Sequence, residues 1–420
     1  MHDLPARSHP LRASLAAEMH VRRLPHIDAP CRMVQIVALT DADAARDGRA
    51  IVEQLAARDG RVLSAGARFC VLGIDGSTLV WEGHTEFASW MLIHPGSFER
   101  PFDDAILGPA ERALIAGIPG QVIRATRIAL LPQGSALPDR AAAARWFDPA
   151  ALTLCDVAHG HARILSDFKL HADGYGRLLI ADQGLEGDEA AQLVMRLQEL
   201  GNYRNMALLG LPMAQSLTPQ VSTIEARLAA LTHQVSERGA SDDTLLDELT
   251  AVAAELARLV ADTRYRMSAT RAYAQLSMER LASLGIGAVR GFQTLADFTE
   301  RRLAPALRTC ESFAARLEDL QQRTAWTSSL LRTRIDIALA KQNRDLLESM
   351  DRRTRMQLRL QQAVEGLSVV AISYYLVSLI GYAGYPLFGE ARALAMAVAV
   401  PVVVAGVWLA AHRLRRQLRE

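Results

Sequence analysis

Two uncharged apolar runs near the end of the chain decide its architecture: LSVVAISYYLVSLIGYAGYPLF (residues 367–388) and ALAMAVAVPVVVAGVWLAA (residues 393–411). Each has about 20 residues, the number that a helix needs to cross the roughly 30 Å hydrocarbon core of a bilayer. Only residues 389–392 separate them, so the second helix has to return to the side from which the first came. The runs predict a transmembrane hairpin attached to a large soluble body. The alternative is a helical hairpin in the core of a soluble protein.

Basic residues indicate how this hairpin is oriented. Positive charges that flank membrane spans stay on the cytoplasmic side. Arginines cluster before the first run and after the second, whereas the link carries only Arg392 next to Glu390. These topology-determining residues are Arg352, Arg353, Arg355, Arg359, Arg413, Arg415, Arg416 and Arg419. We expect a two-span protein of the inner (cytoplasmic) membrane, with both termini in the cytoplasm and the lipid bilayer as a partner.

The composition of the whole chain excludes some partners. With 420 residues and a formal net charge of +1, the protein has no overall attraction for nucleic acid, and we expect none as a partner. The four cysteines Cys31, Cys70, Cys155 and Cys310 are scattered singly, as expected for reduced thiols in a cytosolic domain.

Residues 1–186 have the pattern of an α+β cytosolic domain. Short β-rich runs alternate with short helical stretches, and neither GxGxxG nor GxxxxGK[ST] occurs, so no motif supports nucleotide binding. The predicted strands are Cys31–Thr40, Arg68–Ile74, Thr78–Phe87, Gln121–Leu131, Ala162–Phe168 and Arg177–Ala181, and the predicted helices are Ala42–Arg58 and Pro109–Ala116.

Residues 187–365 read as a helical layer followed by a long stalk helix. Apolar residues such as Leu245, Leu249 and Val252 are spaced alternately by four and three, which favours a coiled-coil seam. Neither glycine nor proline occurs between Pro305 and Gly366, so a continuous helix of about 60 residues, roughly 90 Å, leads into the first span. Because a single helix of that length is rarely stable alone, we expect a homo-oligomer or packing on the upstream helices. Residues 366–412 then form the hairpin and residues 413–420 a basic cytoplasmic tail.

The run WEGHTEF (residues 81–87) contains the strongest candidate for a metal site. Side chains alternate along a strand, so Glu82, His84 and Glu86 would share one face. This row of carboxylate, imidazole and carboxylate can supply half of a divalent-metal site, or it can be a solvated face.

Hydroxyl groups follow one face of the first predicted span. In lipid, such groups prefer partner helices or a water-filled path, so the face predicts a pore lining or a helix interface. Its members are Ser368, Tyr375, Ser378, Tyr382 and Tyr385.

Several motifs resemble a bacterial family of membrane-anchored proteins that carries no assigned activity. The resemblance spans nearly the whole chain, and it implies a class rather than a reaction. Its motifs are His9-Pro10-Leu11-Arg12 with Glu18 and His20, His84-Thr85-Glu86-Phe87, Tyr203-Arg204, residues 207–212, Arg332-Thr333-Arg334, Gln342-Asn343, Leu346-Leu347, Ser349-Met350 and residues 357–375.

The order of parts is also similar to that of the CorA-type magnesium channels, which are pentamers. That likeness implies a divalent cation as a partner. Their Gly-Met-Asn signature after the first span is replaced here by Gly381-Tyr382-Ala383 and the residues that follow, which argues against the same ion selection.

No arrangement of Ser/His/Asp, Cys/His or paired carboxylates nominates a catalytic centre, and no cofactor is assigned. The sequence favours a membrane-anchored, oligomeric, non-enzymatic protein with a cytosolic sensing or binding domain. One alternative is a CorA-like channel or transporter whose path is lined by Tyr375, Ser378 and Tyr382. The other is a metal-dependent enzyme that uses Glu82, His84 and Glu86.

Overall fold

The protein divides into two compact units. A computed structural model describes residues 8–12, 15, 24–64, 66–237, 241–383 and 392–417, without the side chains of residues 104, 392 and 414–417. The sheet unit comprises residues 1–234 and 247–325, and the helical unit comprises residues 235–246 and 326–420. The domain boundaries drawn from the sequence at 186, 365 and 412 stay predictions.

A single mixed sheet organises the sheet unit. Over the described residues its strands are β1 (Cys31–Leu39), β2 (Phe69–Ile74), β3 (Ser77–Gly83), β4 (Phe87–Pro95), β5 (Gln121–Leu131), β6 (Thr153–Val157), β7 (Ala162–Ser166), β8 (Gly176–Asp182) and β9 (Gly287–Ala288). Their order is β2-β3-β4-β1-β5-β8-β7-β6-β9. The β5–β8 pair is parallel and the other strand pairs are antiparallel.

The helices become long after the sheet. They are α1 (Ala42–Arg58), α2 (Pro109–Gly117), α3 (Arg140–Ala143), α4 (Glu189–Leu208), α5 (Gly210–Ser236), α6 (Asp242–Ala282), α7 (Leu295–Ala383) and α8 (Arg392–Gln417). Side-chain caps define where some of them begin. The Asp41 carboxylate accepts a hydrogen bond from the Ala44 N–H at the start of α1, and Thr294 and Asp297 cap each other's backbone N–H groups at the start of α7. The predicted mixed domain followed by long helices is confirmed.

The main core of the sheet unit lies between the sheet and α4. Strand residues such as Ile128, Ile164 and Ile180 are fully buried and belong to one cluster with Val194 and Leu197 of α4. Such β-branched side chains suit a sheet that is covered by a helix. This packing places one face of α4 directly over β5 and β8.

Most predicted strands and helices of this unit are found, with one error. The prediction of a single strand over Thr78–Phe87 is wrong, because the chain turns at residues 84–86 between β3 and β4. The His84 N–H donates to the Phe87 carbonyl at 2.8 Å, and Gly83 lies opposite Ala88 in the antiparallel pair. Strands at residues 88–95, 153–157 and 287–288 have no counterpart in the sequence prediction.

The predicted seam residues Leu245, Leu249, Val252, Leu256 and Leu259 are buried. α7 continues through Pro305 and Gly366. A stripe of apolar residues at heptad-like spacing starts at Phe313 and Leu317 of this helix and becomes more exposed along it. Its residues are buried as far as Leu331, whereas Leu339, Leu346 and Met350 are exposed.

Two helices can span a membrane by length and composition. They are the C-terminal part of α7 and the segment Ala393–Arg413 of α8. Of the most apolar 18 residues of each, only 6% and 0% are buried. The two helices come close at Gly381, where a Cβ atom would lie 3.0 Å from Met396 Cε.

Candidate functional site: an arginine-lined cavity

A cavity forms where β5 extends past its parallel neighbour. β5 begins at Gln121, but Gly176, the first residue of β8, pairs with Thr126. The cavity of about 250 Å³ is bounded by residues 123–126 of β5, residues 168–170 of the loop before β8, and one face of α4. We call this space the arginine cavity, because Arg124 and Arg204 line it.

Arg124 is held by neutral amide oxygens rather than by a carboxylate. Its Nη1 atom lies 2.5 Å from Gln35 Oε1, 2.7 Å from Gln198 Oε1 and 2.9 Å from Asn202 Oδ1. Because Nη1 carries only two hydrogens, it can donate to two of these oxygens at a time. Within the described part of the chain, no residue accepts a hydrogen bond from the Nε or Nη2 atom of Arg124.

Gly201 makes room for this guanidinium group. A Cβ atom at Gly201 would lie 2.7 Å from Arg124 Cζ and 2.8 Å from its Nε and Nη2 atoms. Glycine inside a helix destabilises it by about 1 kcal/mol relative to alanine, and Gly201 lies well inside α4. The close approach of Arg124 explains why this position is a glycine.

Arg204 lies one turn further along α4 and stacks on aromatic rings. Its Cζ atom lies 5.3 Å from the ring centroid of Phe168 and 5.4 Å from that of Phe298. The two rings are themselves in contact, with centroids 4.5 Å apart. Among the described residues, no carboxylate pairs with Arg204.

Both arginines have lowered pKa values. Burial, and then the nearby charge of Arg204, lowers the pKa of Arg124 to about 9. Burial, and then the charge of Arg302, lowers the pKa of Arg204 to about 10. Both values stay above 7, and a guanidinium group holds its proton strongly, so the cavity carries two positive charges at neutral pH.

The other basic residues that line the cavity are neutralised. Lys169 forms an ion pair with Asp148, and Arg177 Nη2 lies 3.0 Å from Asp173 Oδ2. The contrast singles out Arg124 and Arg204 as the charges that the described residues leave without a counter-ion. Chemically, the cavity can hold a negatively charged group and disfavours a metal cation.

The predicted metal cluster is dispersed by the turn after β3. His84 Nε2 lies 3.5 Å from Glu82 Oε2, and the His84 ring stacks on Phe87. Glu86 forms an ion pair with Arg266. In the portion of the chain that is described, no group of three or more His, Cys, Asp or Glu side chains is arranged to hold a metal ion.

The hydroxyl face of the first span is partly exposed. Tyr375 and Tyr382 are 67% and 83% exposed, while the hydroxyls of Ser368 and Ser378 donate to the helix backbone at Val364 and Tyr374. Ser373 is buried instead, and with Gly381 it lies on the less exposed side of the helix. Tyr385 lies outside the described residues. A role of this face in a pore or between copies stays a prediction.

The topology-determining arginines occupy helix surfaces. Arg352, Arg353, Arg355 and Arg359 are exposed on α7, and Arg413 is exposed on α8. Arg419 and the side chains of Arg415 and Arg416 lie outside the described part of the chain.

Sequence reasoning did not identify the arginine cavity. Tyr203-Arg204 entered only as a motif of resemblance, and Arg124 was one residue of a predicted strand. The available signal was an arginine inside an apolar strand, together with the polar residues Gln198, Asn202 and Asn205 on one face of a helix. Their meeting required the tertiary structure.

Comparison with known proteins gives a family. A family model described as "Protein of unknown function (DUF3422)" matches residues 7–418. A search of the curated proteins found no match. The matched region includes the arginine cavity and both apolar helices.

Proposed function

Since the chain belongs to the DUF3422 family, a family of unknown function, we propose its role from its own residues. It is a membrane-anchored, self-associating, non-enzymatic protein whose sheet unit binds a ligand from solution. The observation that carries this proposal is the exposure of the two apolar helices at the C-terminal end of the chain.

The anchor rests on the unusual surface of these helices. Leu367, Leu379, Leu394 and Val402 are each at least 64% exposed. Soluble proteins rarely expose apolar patches of this extent, and a helix in the core of a soluble protein would be mostly buried. Lipid is the partner that covers such a surface without any further protein chain.

The orientation follows from the arginines that flank the two helices. Those before the first span and after the second favour the cytoplasmic side. The protein is therefore placed in the cytoplasmic membrane, with its sheet unit and both termini in the cytoplasm. The four free cysteines of the chain suit that reducing compartment.

Self-association is supported by the exposed stripe of α7 in front of the membrane. Leu339, Leu346 and Met350 follow heptad-like spacing and are at least 55% exposed. A second copy of the same helix would bury this stripe.

The anchor is tested by placing charges at the centres of the spans. A carboxylate at the centre of a membrane helix costs about 3 kcal/mol. We expect the full-length protein to resist alkaline extraction from membranes and the double variant Leu379→Asp/Val402→Asp to be released or degraded. The matched control is Leu360→Asp, which changes an exposed leucine of α7 outside the span and leaves the protein in the membrane. A full-length protein that is soluble and monodisperse without detergent would refute the anchor.

Self-association is tested by disulfide cross-linking in native membranes. Leu346→Cys lies on the exposed stripe, and Glu348→Cys lies two residues away on a different face of α7. We expect a cross-linked dimer with Leu346→Cys and little with Glu348→Cys, because a disulfide requires Cα atoms within about 7 Å. Equal cross-linking of the two variants would argue for random collision.

A further inference from the structure

We propose that the arginine cavity binds a small organic anion. Its carboxylate or phosphate group lies between Arg124 and Arg204, and its apolar part contacts the leucines that line the cavity. The inference rests on the proposed function, since it names the class of ligand that the sheet unit binds.

Charge is the first argument. Arg124 and Arg204 are partly buried, and charges that are removed from water are normally paired. Within the same cavity lining, Lys169 and Arg177 have carboxylate partners. Arg124 and Arg204 have none among the described residues. An anion from solution would supply the counter-charge through strong, charge-assisted hydrogen bonds.

Preorganisation is the second argument. The Arg124 guanidinium group is held by hydrogen bonds to amide oxygens and fits against Gly201. The Arg204 guanidinium group stacks on two aromatic rings. Both groups are thus fixed before a ligand arrives, which lowers the entropy that binding would otherwise cost. The Nε and Nη2 atoms of Arg124 and the guanidinium nitrogens of Arg204 remain the donors available to a planar carboxylate or to a phosphate.

The lining and the volume of the cavity indicate the apolar part and the size of the ligand. Leu178, Leu197, Leu200 and Leu295 face the same space as the two arginines. Ligand sites typically combine an apolar wall with a few polar groups that orient the ligand. A volume of about 250 Å³ suits a small molecule with one anionic group and a compact apolar body.

The test uses full-length protein in nanodiscs and isothermal titration calorimetry with four probes. We expect benzoate or phenyl phosphate to bind, and which of the two binds more tightly distinguishes a carboxylate from a phosphate ligand. Benzamide has nearly the same shape as benzoate without the charge, and inorganic phosphate has the charge without the apolar body. Both are expected to bind at least about tenfold more weakly than the better aromatic anion. Equal binding of benzamide, or no binding of either aromatic anion, would overturn the proposal.

Three variants assign the binding to the arginines. Arg204→Met is expected to lower the affinity for the aromatic anion by about tenfold or more without lowering the unfolding temperature. Gly201→Ala should also lower the affinity, because the new methyl group displaces the guanidinium end of the Arg124 side chain. The matched control Arg196→Met changes an arginine of the same helix that donates to the Ser283 carbonyl outside the cavity, and it should keep the wild-type affinity.

Unchanged affinity in Arg204→Met would overturn the site. Membrane extraction of the same preparations separates the two proposals: a protein that stays in the membrane but binds no aromatic anion refutes the ligand and leaves the anchor standing.

Discussion

The two units handle charge and apolar surface in opposite ways. The sheet unit holds two partly buried arginines, for which the described residues supply no counter-ion, in a cavity with apolar walls. The helical unit exposes leucine, valine and tyrosine side chains along its two apolar helices. Each arrangement is unfavourable for the chain alone in water. This opposite treatment is what motivates the two proposals above, an anionic ligand for the sheet unit and a lipid environment for the two apolar helices.

The largest expected difference between the two units comes from leucine-to-alanine substitutions, one in each unit. Leu165 in β7 is 1% exposed, whereas Leu358 in α7 is 51% exposed. Leu165→Ala should lower the free energy of unfolding by about 2–5 kcal/mol, because it leaves a cavity in a packed core. Leu358→Ala should change it by less than about 0.5 kcal/mol. Denaturant unfolding of the full-length protein in detergent measures both, and similar losses would show that α7 is covered there.

The buried carboxylate of Glu111 in the sheet unit provides the next comparison. Glu111 is 2% exposed and accepts hydrogen bonds from Ser77 Oγ and from the Gly108 N–H, with His94 Nε2 2.8 Å away. Burial raises its pKa, but these hydrogen bonds outweigh burial, and the net shift is downward. The groups that hold this buried charge come from three separate parts of the chain, whereas Arg204 has no hydrogen-bond acceptor among the described residues.

Glu111→Gln should therefore lower the free energy of unfolding by about 1.5–3 kcal/mol at pH 7. A carboxylate with a lowered pKa stabilises the fold above its unfolded value, here 4.5, and that contribution is lost as the pH falls through the folded pKa. The difference between wild type and variant should consequently shrink below about pH 4.5. A difference that stays constant from pH 7 to pH 3 would show that the charge of Glu111 contributes nothing.

The smallest predicted effect separates the two arginines of the cavity. Arg124→Met leaves buried amide oxygens of Gln35, Gln198 and Asn202 without a donor, so it should lower the free energy of unfolding by about 1–3 kcal/mol. Arg204→Met removes a charge that has no carboxylate partner among the described residues and should be neutral or stabilising by about 1 kcal/mol. Thermal unfolding without added anion measures both. A large loss of stability in Arg204→Met would mean that the charge of Arg204 is satisfied within the chain.

Local signals account for the parts of the fold that the sequence predicted well. α1 and β5 have the predicted bounds, because a side-chain cap marks the first and an apolar run with β-branched residues the second. The error at Thr78–Phe87 arises because residues 84–86 contain neither glycine nor proline nor an Asn-Gly pair. Their turn is set by the pairing of β3 with β4, in which Trp81 lies opposite Trp90.

The arginine cavity could not be predicted from short sequence motifs, because its residues are far apart in the chain. Gln35 and Gln198 lie 89 and 74 residues from Arg124 in the chain. Their meeting depends on a parallel strand pair and on the helix packed above it, and no short motif encodes either. The prediction for residues 82–86 assumed one strand, whereas the chain turns at residues 84–86 and Glu86 forms an ion pair with Arg266.

The amino-acid sequence alone was enough to identify the two apolar helices, their flanking arginines, the mixed nature of the first part of the chain and its family. Those properties follow from length, hydropathy and short-range periodicity, which neighbouring residues carry. Packing in three dimensions sets how far β5 extends past β8, which arginines line the resulting cavity, and which of them have no counter-ion among the described residues. These depend on contacts between residues far apart in the chain, and such contacts form only when the sheet and α4 pack together.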